Sequence, residues 1–276
     1  MAESPVLLLA GLVLAGAVAL ALHRLRADRR RLRRRIDAAT TELQHLQLSF
    51  ARFAPNAVVE SIAARARIPE AERREVTVLF ADLVGFTALS EQLDPDVLVA
   101  VLNEYFVRMS RVIGEHRGHV AKFIGDGLMA LFGALEPNPW QVNDAVHAAL
   151  AMQRALVAYN AELASRGLPA LRAGIGIHRG TAVAGLIGSD ALMEFTVIGR
   201  PVNLASRVEG LTRTHHVDIL VTAAVRDRLD PRFVLDELPA REVRGVAEPV
   251  VTYAVRGFRE EGDQSLSRTG TGTGRA

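Results

Sequence analysis

The sequence predicts an α+β protein, in which a ferredoxin-like βαββαβ domain with helices on one face of its sheet follows one transmembrane helix and a short helical coiled coil. Three observations support this fold class: an uncharged apolar run at 5–22, an apolar heptad stripe at 25–53, and alternating strand-like and helix-like stretches from residue 74 onward. The 276 residues are 49% hydrophobic, which is enough to bury a core and excludes a wholly disordered chain. The absence of cysteine excludes disulfide frameworks, thiolate zinc sites and thiol nucleophiles.

The first part of the chain is interpreted as a membrane anchor. After a short N-terminus at 1–4, the uncharged run at 5–22 would extend about 27 Å as a helix, which just spans a hydrocarbon core. A cleaved signal peptide is the competing interpretation, but it needs positive charge before the apolar run, and 1–4 carries none. Eight arginines between Arg24 and Arg35 keep the following side in the cytoplasm. The sequence therefore predicts a single-pass protein of the cell (inner) membrane with its main domain in the cytoplasm.

A basic juxtamembrane segment and coiled coil are predicted at 23–54. Because the arginines adjoin an apolar span, anionic lipid headgroups are favoured as their partner over nucleic acid. With Arg29 as the one break, apolar residues recur at alternating spacings of four and three, at Leu25, Leu32, Ile36, Ala39, Leu43, Leu46, Phe50 and Phe53. An amphipathic helix packed on its own domain would show the same stripe, but pairing of two chains is favoured for a helix that leaves a membrane. A helical linker at 55–73 follows, and the polar tail at 258–276 is predicted to be disordered.

The main domain is placed at 74–257, where strand and helix patterns alternate. Strand-like stretches lie at 75–82, 119–125, 127–133, 172–178, 180–188, 194–199, 217–221, 231–238 and 249–255. Helix-like stretches lie at 95–116, 138–164, 201–211 and 223–229. The second and third strands are joined tightly through Gly125 and Asp126, between the two long helices, and this order is that of a ferredoxin-like sheet.

Two aspartates lie where strands of this domain end. Asp82 precedes a glycine-containing turn at 83–87, whose backbone N–H groups can cradle phosphate oxygens. Taken alone, Asp82 is explained as a turn residue or helix N-cap, and Asp126 as part of a G-D-G hairpin turn. In a ferredoxin-like sheet, however, their strands are neighbours, so both carboxylates reach one edge. Two carboxylates with nearby backbone oxygens suit two hard divalent cations.

Lys122 is the single lysine among the 33 basic residues. It lies on an otherwise apolar strand and points to the opposite face from Phe123. Its ammonium only donates hydrogen bonds, so it can donate to adenine N1, whereas guanine N1 carries a hydrogen and would repel it. The alternative is a strand lysine whose stem covers apolar surface while its charge reaches water.

Asn203 and Arg207 are separated by four residues on the helix predicted at 201–211, so they share a face. Arg207 can bring fixed positive charge to a phosphoryl transition state, and Asn203 offers a donor and an acceptor to a sugar or a bridging oxygen. The alternative is a solvated helix surface on which Arg207 pairs with Glu194 or Glu209.

The main domain resembles the class III nucleotidyl cyclases. The resemblance is carried, in order along the chain, by FADLVGFT, KFIGDGLMALF, GIGIHRGTAVAG, EFTVIGRPVNLASRVEG and VRGVAEPVVTYAV. It implies an adenylate cyclase that converts ATP to 3′,5′-cyclic AMP and pyrophosphate, with two Mg²⁺ or Mn²⁺ ions per active site. In this family the sites form between two catalytic domains, so the resemblance also implies a homodimer with shared active sites.

The resemblance assigns roles to individual residues. Metal binding falls to Asp82, to Leu83 beside it, and to Asp126. Phosphate binding falls to the turn around Gly85, Phe86 and Thr87, and to Arg244. The adenine would be selected by Lys122 together with Thr196, a pairing found in one subgroup of the family. Catalysis would fall to Asn203, which orients the ribose, and to Arg207, which stabilises the transition state.

The sequence departs from the family pattern at three positions. Gly174 stands where the family often has an arginine, and the nearest arginine is Arg172. Arg200 stands where the family has an acidic residue, and Arg244 where it usually has a lysine.

Two other functions stay open. A guanylate cyclase using GTP is disfavoured because a guanine-selecting site typically has an acid where Lys122 stands. A catalytically silent, membrane-tethered dimerisation or nucleotide-sensing module is disfavoured because both aspartates, Asn203 and Arg207 are all present.

Overall fold

The computed structural model describes residues 71–189, 192–246 and 248–259, together with positions 29, 31, 33, 36, 40 and 41. Within these residues, no helix combines the length and apolar character needed to cross a bilayer. The transmembrane helix predicted at 5–22, the linker at 55–70 and the tail beyond 259 lie outside them.

The chain divides into two units, Met1–Val59 and Glu60–Ala276. In the first unit the six described positions are all helical. Thr40 donates its hydroxyl to the Ile36 carbonyl at 2.9 Å, and the Ile36 side chain is exposed in the single chain. A helix is therefore present where the coiled coil is predicted, whereas pairing with a second chain stays a prediction.

In the second unit the described residues form a mixed sheet of eight strands with five helices. The strands are β1 (Glu72–Leu83), β2 (His119–Ile124), β3 (Gly127–Phe132), β4 (Ala173–Ser189), β5 (Leu192–Ile198), β6 (Ile219–Thr222), β7 (Phe233–Arg241) and β8 (Val250–Phe258). The helices are α1 (Phe86–Gln92), α2 (Pro95–Glu115), α3 (Gln141–Ser165), α4 (Arg200–His215) and α5 (Ala223–Arg226).

The sheet order confirms the ferredoxin-like core. The strands run in the order β2-β3-β1-β4-β6-β8-β7, and β5 pairs with β4 beside this path. The first four strands in that order are antiparallel to their neighbours, as a βαββαβ unit requires. Strand β6 then adds parallel to β4, and the β7–β8 hairpin completes the far end.

Helices α2 and α3 cover one face of the sheet. Helix α2 begins where the sequence predicts, because Pro95 suits a first helical position and the Asp94 carboxylate accepts the Asp96 N–H at 3.0 Å. The two helices and the sheet share the main hydrophobic core, which includes Leu79, Tyr105, Met109, Val146, Ile175 and Ile177. Burial of this apolar surface is the main source of the domain's stability.

The prediction of helices on one face holds for the two long helices α2 and α3, whereas α4 lies on the opposite face with a core cluster of its own. Gly174 and Gly176 alternate along β4 with residues of the main core and therefore point to the other side. A Cβ atom on Gly176 would lie 2.1 Å from the Glu209 backbone nitrogen. Glycine at these two positions of β4 lets α4 approach this closely.

The two strands predicted at 172–178 and 180–188 form the single strand β4, so the predicted break between them is wrong. Arg179 and Gly180 continue the ladder, paired in register with Thr77 and Val76 of β1. Glycine is a common turn signal, but here the long antiparallel partner keeps the backbone extended.

Candidate active site

Asp82 and Asp126 converge at one edge of the sheet, as predicted from the strand order. Ala81 of β1 pairs with Leu128 of β3, which places the hairpin tip beside the end of β1. A Cβ atom on Gly127 would lie only 2.9 Å from Asp82 Oδ1. Glycine at that position therefore leaves room for the Asp82 carboxylate next to Asp126.

The two carboxylates influence each other. Burial raises the pKa of Asp126, and the negative charge of Asp82 raises that pKa further. The backbone amide of Leu83 acts in the opposite direction by favouring the ionised form of Asp126. The Leu83 side chain is buried in the core, so its backbone is the part that faces this edge.

Two residues of α4 that the sequence analysis did not assign to the site lie beside this pair. Arg213 Nη2 donates a hydrogen bond to Asp82 Oδ2. The same nitrogen lies 3.7 Å from Glu209 Oε1. Glu209 and Arg213 are four residues apart on one helix face, and this spacing is the signal that could have drawn attention to them. Finding their contact with Asp82 also requires knowing which face of the sheet α4 covers.

Glu209 is a buried carboxyl group in this cluster. Burial raises its pKa to about 7, with Arg213 opposing the shift and Asp82 and Asp126 adding to it. Its Oε1 atom has no hydrogen-bond partner among the described residues. The hydroxyl of Tyr105, also buried and without a hydrogen-bond partner there, has a pKa raised by burial and by the same three carboxylates.

The predicted phosphate-binding turn connects β1 to α1. Gly85 has a φ of 75°, a left-handed conformation that favours glycine. The Val84 N–H donates to the Arg172 carbonyl at 2.8 Å, which fixes the turn against the segment before β4. No side chain of the described residues caps α1, so the amides of its first turn, including those of Phe86 and Thr87, are available to a ligand.

A cavity of about 220 Å³ opens beside this turn. It is lined by the turn, by α1 and by the segment that ends at Arg172. Arg172 lies 3.3 Å from the carboxylate of Asp218 and is largely exposed. Arg172 therefore supplies positive charge near the turn, although it does not occupy the position of Gly174.

The candidate adenine-selecting residues lie on β2 and β5. Lys122 Nζ donates to Glu194 Oε2 at 2.7 Å. Strand periodicity places Thr196 on the same face of β5 as Glu194, and Thr196 is buried. The rings of His119 and Phe195, with centroids 5.6 Å apart, form a second contact between these strands. Glu194 is therefore the partner of Lys122, and not of Arg207 as the helix-surface alternative predicts.

Asn203 and Arg207 lie on α4, where Asn203 is exposed and Arg207 is partly buried. A Cβ atom on Gly245 would lie 3.2 Å from Arg207 Nη1, so the guanidinium rests against the loop that carries Arg244. Within the part of the chain that the structure describes, Arg207 forms no ion pair, because Glu194 is engaged by Lys122 and Glu209 lies beside Arg213. The alternative of an Arg207 ion pair with either glutamate is therefore wrong.

Gly174 has a structural reason to lack a side chain. Its Cβ atom would lie 2.2 Å from Thr212 Oγ1 and 3.1 Å from Glu209 Oε1 on α4. An arginine at this position would overlap α4, so the departure from the family pattern follows from how closely this helix packs. Gly174 is also the register partner of Asp82 across β1 and β4.

The sequence model of the family described as "Adenylate and Guanylate cyclase catalytic domain" matches residues 68–257, more than half of the chain. The chain belongs to this family of cyclase catalytic domains. An adenylate cyclase from Anabaena cylindrica is 40% identical over 185 residues, which cover 64% of this chain and 36% of that relative. The cyclase domain thus spans about a third of the length of this curated relative.

Solved structures of the same family resemble the cyclase domain closely. The adenylyl cyclase CyaB from P. aeruginosa has a TM-score of 0.65 and 30% identity, over 69% of this chain and 98% of that chain. The guanylyl cyclase Cya2 also has a TM-score of 0.65, with 35% identity, over 70% of this chain and 96% of that chain. Both adenylyl and guanylyl cyclases are therefore among the similar structures.

The residues at the sheet edge fit divalent cations. Asp82 and Asp126 supply the hard oxygen ligands that such ions prefer, and they lie close enough to raise the pKa of Asp126. Among the described residues, no cluster of three or more His, Cys, Asp or Glu side chains is placed to bind a metal. Backbone, water or nucleotide oxygens would therefore complete the coordination, as is usual for Mg²⁺ beside phosphates.

Proposed function

We propose that the protein is an adenylate cyclase that converts ATP to 3′,5′-cyclic AMP and pyrophosphate at sites shared by two copies of the chain. The observation that carries this proposal is the convergence of Asp82 and Asp126 beside the turn at 83–87, in a chain of the cyclase family. In the reaction the ribose 3′-oxygen bonds to the α-phosphorus and the 3′-hydroxyl proton passes to solvent. The bond from the α-phosphorus to the α–β bridging oxygen breaks, and that oxygen leaves with pyrophosphate.

Each group of residues has a defined task at the triphosphate. Asp82, Asp126 and the Leu83 backbone would hold the cations, and the amides of Gly85, Phe86 and Thr87 would hold phosphate oxygens. Two Mg²⁺ or Mn²⁺ ions per site, when bound, lower the pKa of the 3′-hydroxyl and neutralise the leaving pyrophosphate.

Residues of α4 and of the loop after β7 would act on the reacting phosphate and ribose. Asn203 would orient the ribose, and Arg207 would offset charge on the α-phosphoryl group. Among the described residues Arg207 is not engaged by a carboxylate, which leaves its guanidinium for the nucleotide. Arg244, which is exposed beside Gly245, would contact phosphate in place of the usual lysine.

Adenine would be selected by Lys122 and Thr196. The ammonium donates to adenine N1 but not to guanine N1, and a hydroxyl accepts from the adenine N6 amino group. The guanylate cyclase alternative is favoured by one observation, the 35% identity to a guanylyl cyclase structure. Direct comparison of ATP and GTP turnover distinguishes the two.

Two chains would form each site together. No hydrogen bond or ion pair links Lys122 or Arg207 to Asp82 or Asp126 within the described part of one chain. A second copy can bring its Lys122, Asn203 and Arg207 to the carboxylates of the first. The exposed apolar side chains of Phe123 and Ile124, at the hairpin that carries Asp126, offer a surface for such an interface.

The N-terminal segment would hold two cyclase domains together at the cytoplasmic face of the inner membrane. The run at 5–22 is uncharged, and the basic segment that follows favours cytoplasmic placement of the domain. A membrane helix with a coiled coil at 23–54 raises the effective concentration of the two domains. Fusing a reporter after the cyclase domain and testing its protease protection in membrane vesicles would locate the domain.

The first test is product formation by purified full-length protein in detergent. ATP or GTP is supplied with Mg²⁺ or Mn²⁺, beside an Asp126→Ala variant. Cyclic AMP from ATP, lost in the variant, would support the proposal. Cyclic GMP as the main product would favour the alternative substrate, and no product with any combination would favour a catalytically silent module.

A further inference from the structure

We infer that Arg213 competes with a divalent cation for Asp82 and thereby sets the metal concentration at which the active site fills. This role rests on the proposed function, in which Asp82 and Asp126 hold the cations. Arg213 is a positioning residue in this scheme, since it acts on the metal site through the carboxylate that it occupies.

The geometry places Arg213 directly on the candidate metal ligand. Its Nη2 atom donates to Asp82 Oδ2, although the two residues are 131 positions apart in the chain. Their side chains are 43% and 31% exposed, so the contact lies where solvent and ions have access. The same nitrogen lies 3.7 Å from Glu209 Oε1.

Arg213 also supplies positive charge to the cluster of carboxyl groups formed by Asp82, Asp126 and Glu209. Among the described residues it is the one basic side chain whose charge acts on both Asp126 and Glu209. Without a cation, Asp82, Asp126 and the partly ionised Glu209 would repel each other in a half-buried place. The guanidinium therefore compensates, in the metal-free chain, for charge that a divalent cation would otherwise balance.

A cation and Arg213 would bind the same carboxylate, since Arg213 contacts Oδ2 of Asp82 while Oδ1 faces the hairpin that carries Asp126. An oxygen that accepts from a guanidinium faces a positive group, and a cation bound to the same carboxylate would be repelled by it. Metal binding is therefore weaker while Arg213 stays in contact with Asp82, and its long side chain can swing into solvent when a cation binds. Because partly exposed ion pairs are weak, the competition is expected to change metal affinity several-fold and not abolish binding.

A purely structural role for Arg213 is the competing explanation. Arg213 lies in the last turn of α4, where a cation stabilises the helix terminus, and it is spaced by four residues from Glu209. In that case its removal would lower stability with or without metal and would leave metal affinity unchanged. Metal binding therefore separates the two explanations.

The test measures Mn²⁺ binding to metal-stripped, full-length protein in detergent by calorimetry, with no nucleotide present. Arg213→Gln removes the charge, and Arg213→Met removes it while keeping an apolar stem. Arg256→Gln is the matched control, because it removes an arginine of similar exposure that pairs with Asp236 at 2.7 Å on the β7–β8 hairpin. Both Arg213 variants are expected to bind Mn²⁺ with a Kd about three- to tenfold lower than the wild type, and the control with an unchanged Kd.

Thermal unfolding gives a second readout. Without metal, the Arg213→Gln protein should unfold at a lower temperature than the wild type, and Mn²⁺ should raise its midpoint by more than it raises the wild-type midpoint. Equal increases, or a Kd that stays the same or rises in both variants, would overturn the competition while leaving the proposed function intact. If the wild type and the variants all fail to bind Mn²⁺, the two-metal site fails, and the competition fails with it.

Discussion

Lys122 Nζ donates a hydrogen bond to Glu194 Oε2 at 2.7 Å, from β2 to β5. The two side chains are 32% and 42% exposed, so a purine base can reach the pair. The contact holds the ammonium beside the strand that carries Thr196. Glu194 is therefore expected to position Lys122 for the base.

Replacing Glu194 with Gln should lower kcat/KM for ATP about three- to fivefold, because an exposed ion pair contributes up to about 1 kcal/mol. Lys122→Met removes the donor itself and should lower kcat/KM about 10- to 100-fold, since hydrogen bonds from charged groups are stronger. Both variants should also raise the ratio of GTP to ATP turnover. Cyclic nucleotide formation from each substrate measures both effects.

The matched control for Glu194 is Glu115→Gln, which removes the exposed carboxylate that lies 3.9 Å from Arg111 on α2. This variant should turn over both nucleotides as the wild type does. Equal GTP to ATP ratios for the two glutamine variants would show that Glu194 does not position Lys122.

Sequence reasoning located the candidate metal site because that site depends on strand order alone. Asp82 ends β1 and Asp126 lies between β2 and β3, so any ferredoxin-like arrangement of these strands brings the two together. The contact between Asp82 and Arg213 depends in addition on the face that α4 covers. Gly174 and Gly176 determine that face, because they leave space for a helix on one side of β4. In a sequence, glycine indicates only that a strand is less favoured at these positions.

The sequence also does not predict which charged side chains pair with each other. Glu194 is a candidate partner of Arg207 because the two are nearby in the sequence, yet it pairs with Lys122. The β4–β5 hairpin returns to β2, and this tertiary contact has no signature in local spacing. Charged residues on a helix or strand face have several candidate partners, and only the three-dimensional arrangement selects one.

Gly176 and Gly210 should respond in opposite ways to the same substitution. A Cβ atom on Gly176 would lie 2.1 Å from the backbone nitrogen of Glu209, whereas one on Gly210 would meet no described atom outside its own helical turn within 4 Å. Gly176→Ala should therefore destabilise the protein by about 3 kcal/mol by forcing α4 off the sheet. Gly210→Ala lies inside α4 and should stabilise it by about 1 kcal/mol. Thermal unfolding of both variants measures this contrast, and a loss of stability in both would contradict it.

Glu209 should make the stability of the domain depend on pH. Its pKa is about 7 in the folded chain, where burial raises it from an ordinary value of 4.5. Between these values the folded chain holds a proton that the unfolded chain has released, so the free energy of unfolding falls as pH rises through this range. The full effect is about 3 kcal/mol at most. Stability from this group is thus greatest below pH 4.5 and is lost by about pH 8.

Replacing Glu209 with Gln removes the ionisable group and should flatten this dependence, so that the variant is more stable than the wild type at pH 8. Unfolding of metal-free protein at pH 5 and pH 8 measures the difference. Glu237→Gln, an exposed position on β7, serves as control and should follow the wild type. A wild-type pH dependence in the Glu209→Gln protein would show that this carboxyl group is not the cause.

Shared active sites predict that two inactive chains can restore each other. Consider a mixed dimer of an Asp126→Ala chain and an Arg207→Ala chain. One of its two sites carries both substitutions. The second site takes its aspartate from the Arg207→Ala chain and its arginine from the Asp126→Ala chain, so it is intact. If chains pair at random, half of the dimers are mixed and half of their sites are intact, so activity should recover to about a quarter of the wild type. Co-expression followed by cyclic AMP measurement tests this.

The control mixes Asp82→Ala with Asp126→Ala. Because both aspartates converge within one chain, every site in such a mixed dimer carries one substitution, and no recovery is expected. Recovery in this control would mean that the two aspartates serve different sites. Absence of recovery in the first mixture, with dimers confirmed by sedimentation, would mean that each chain completes its own site. In that case Lys122 and Arg207 would have to reach the carboxylates of their own chain, through a rearrangement of α4 and the β4–β5 hairpin.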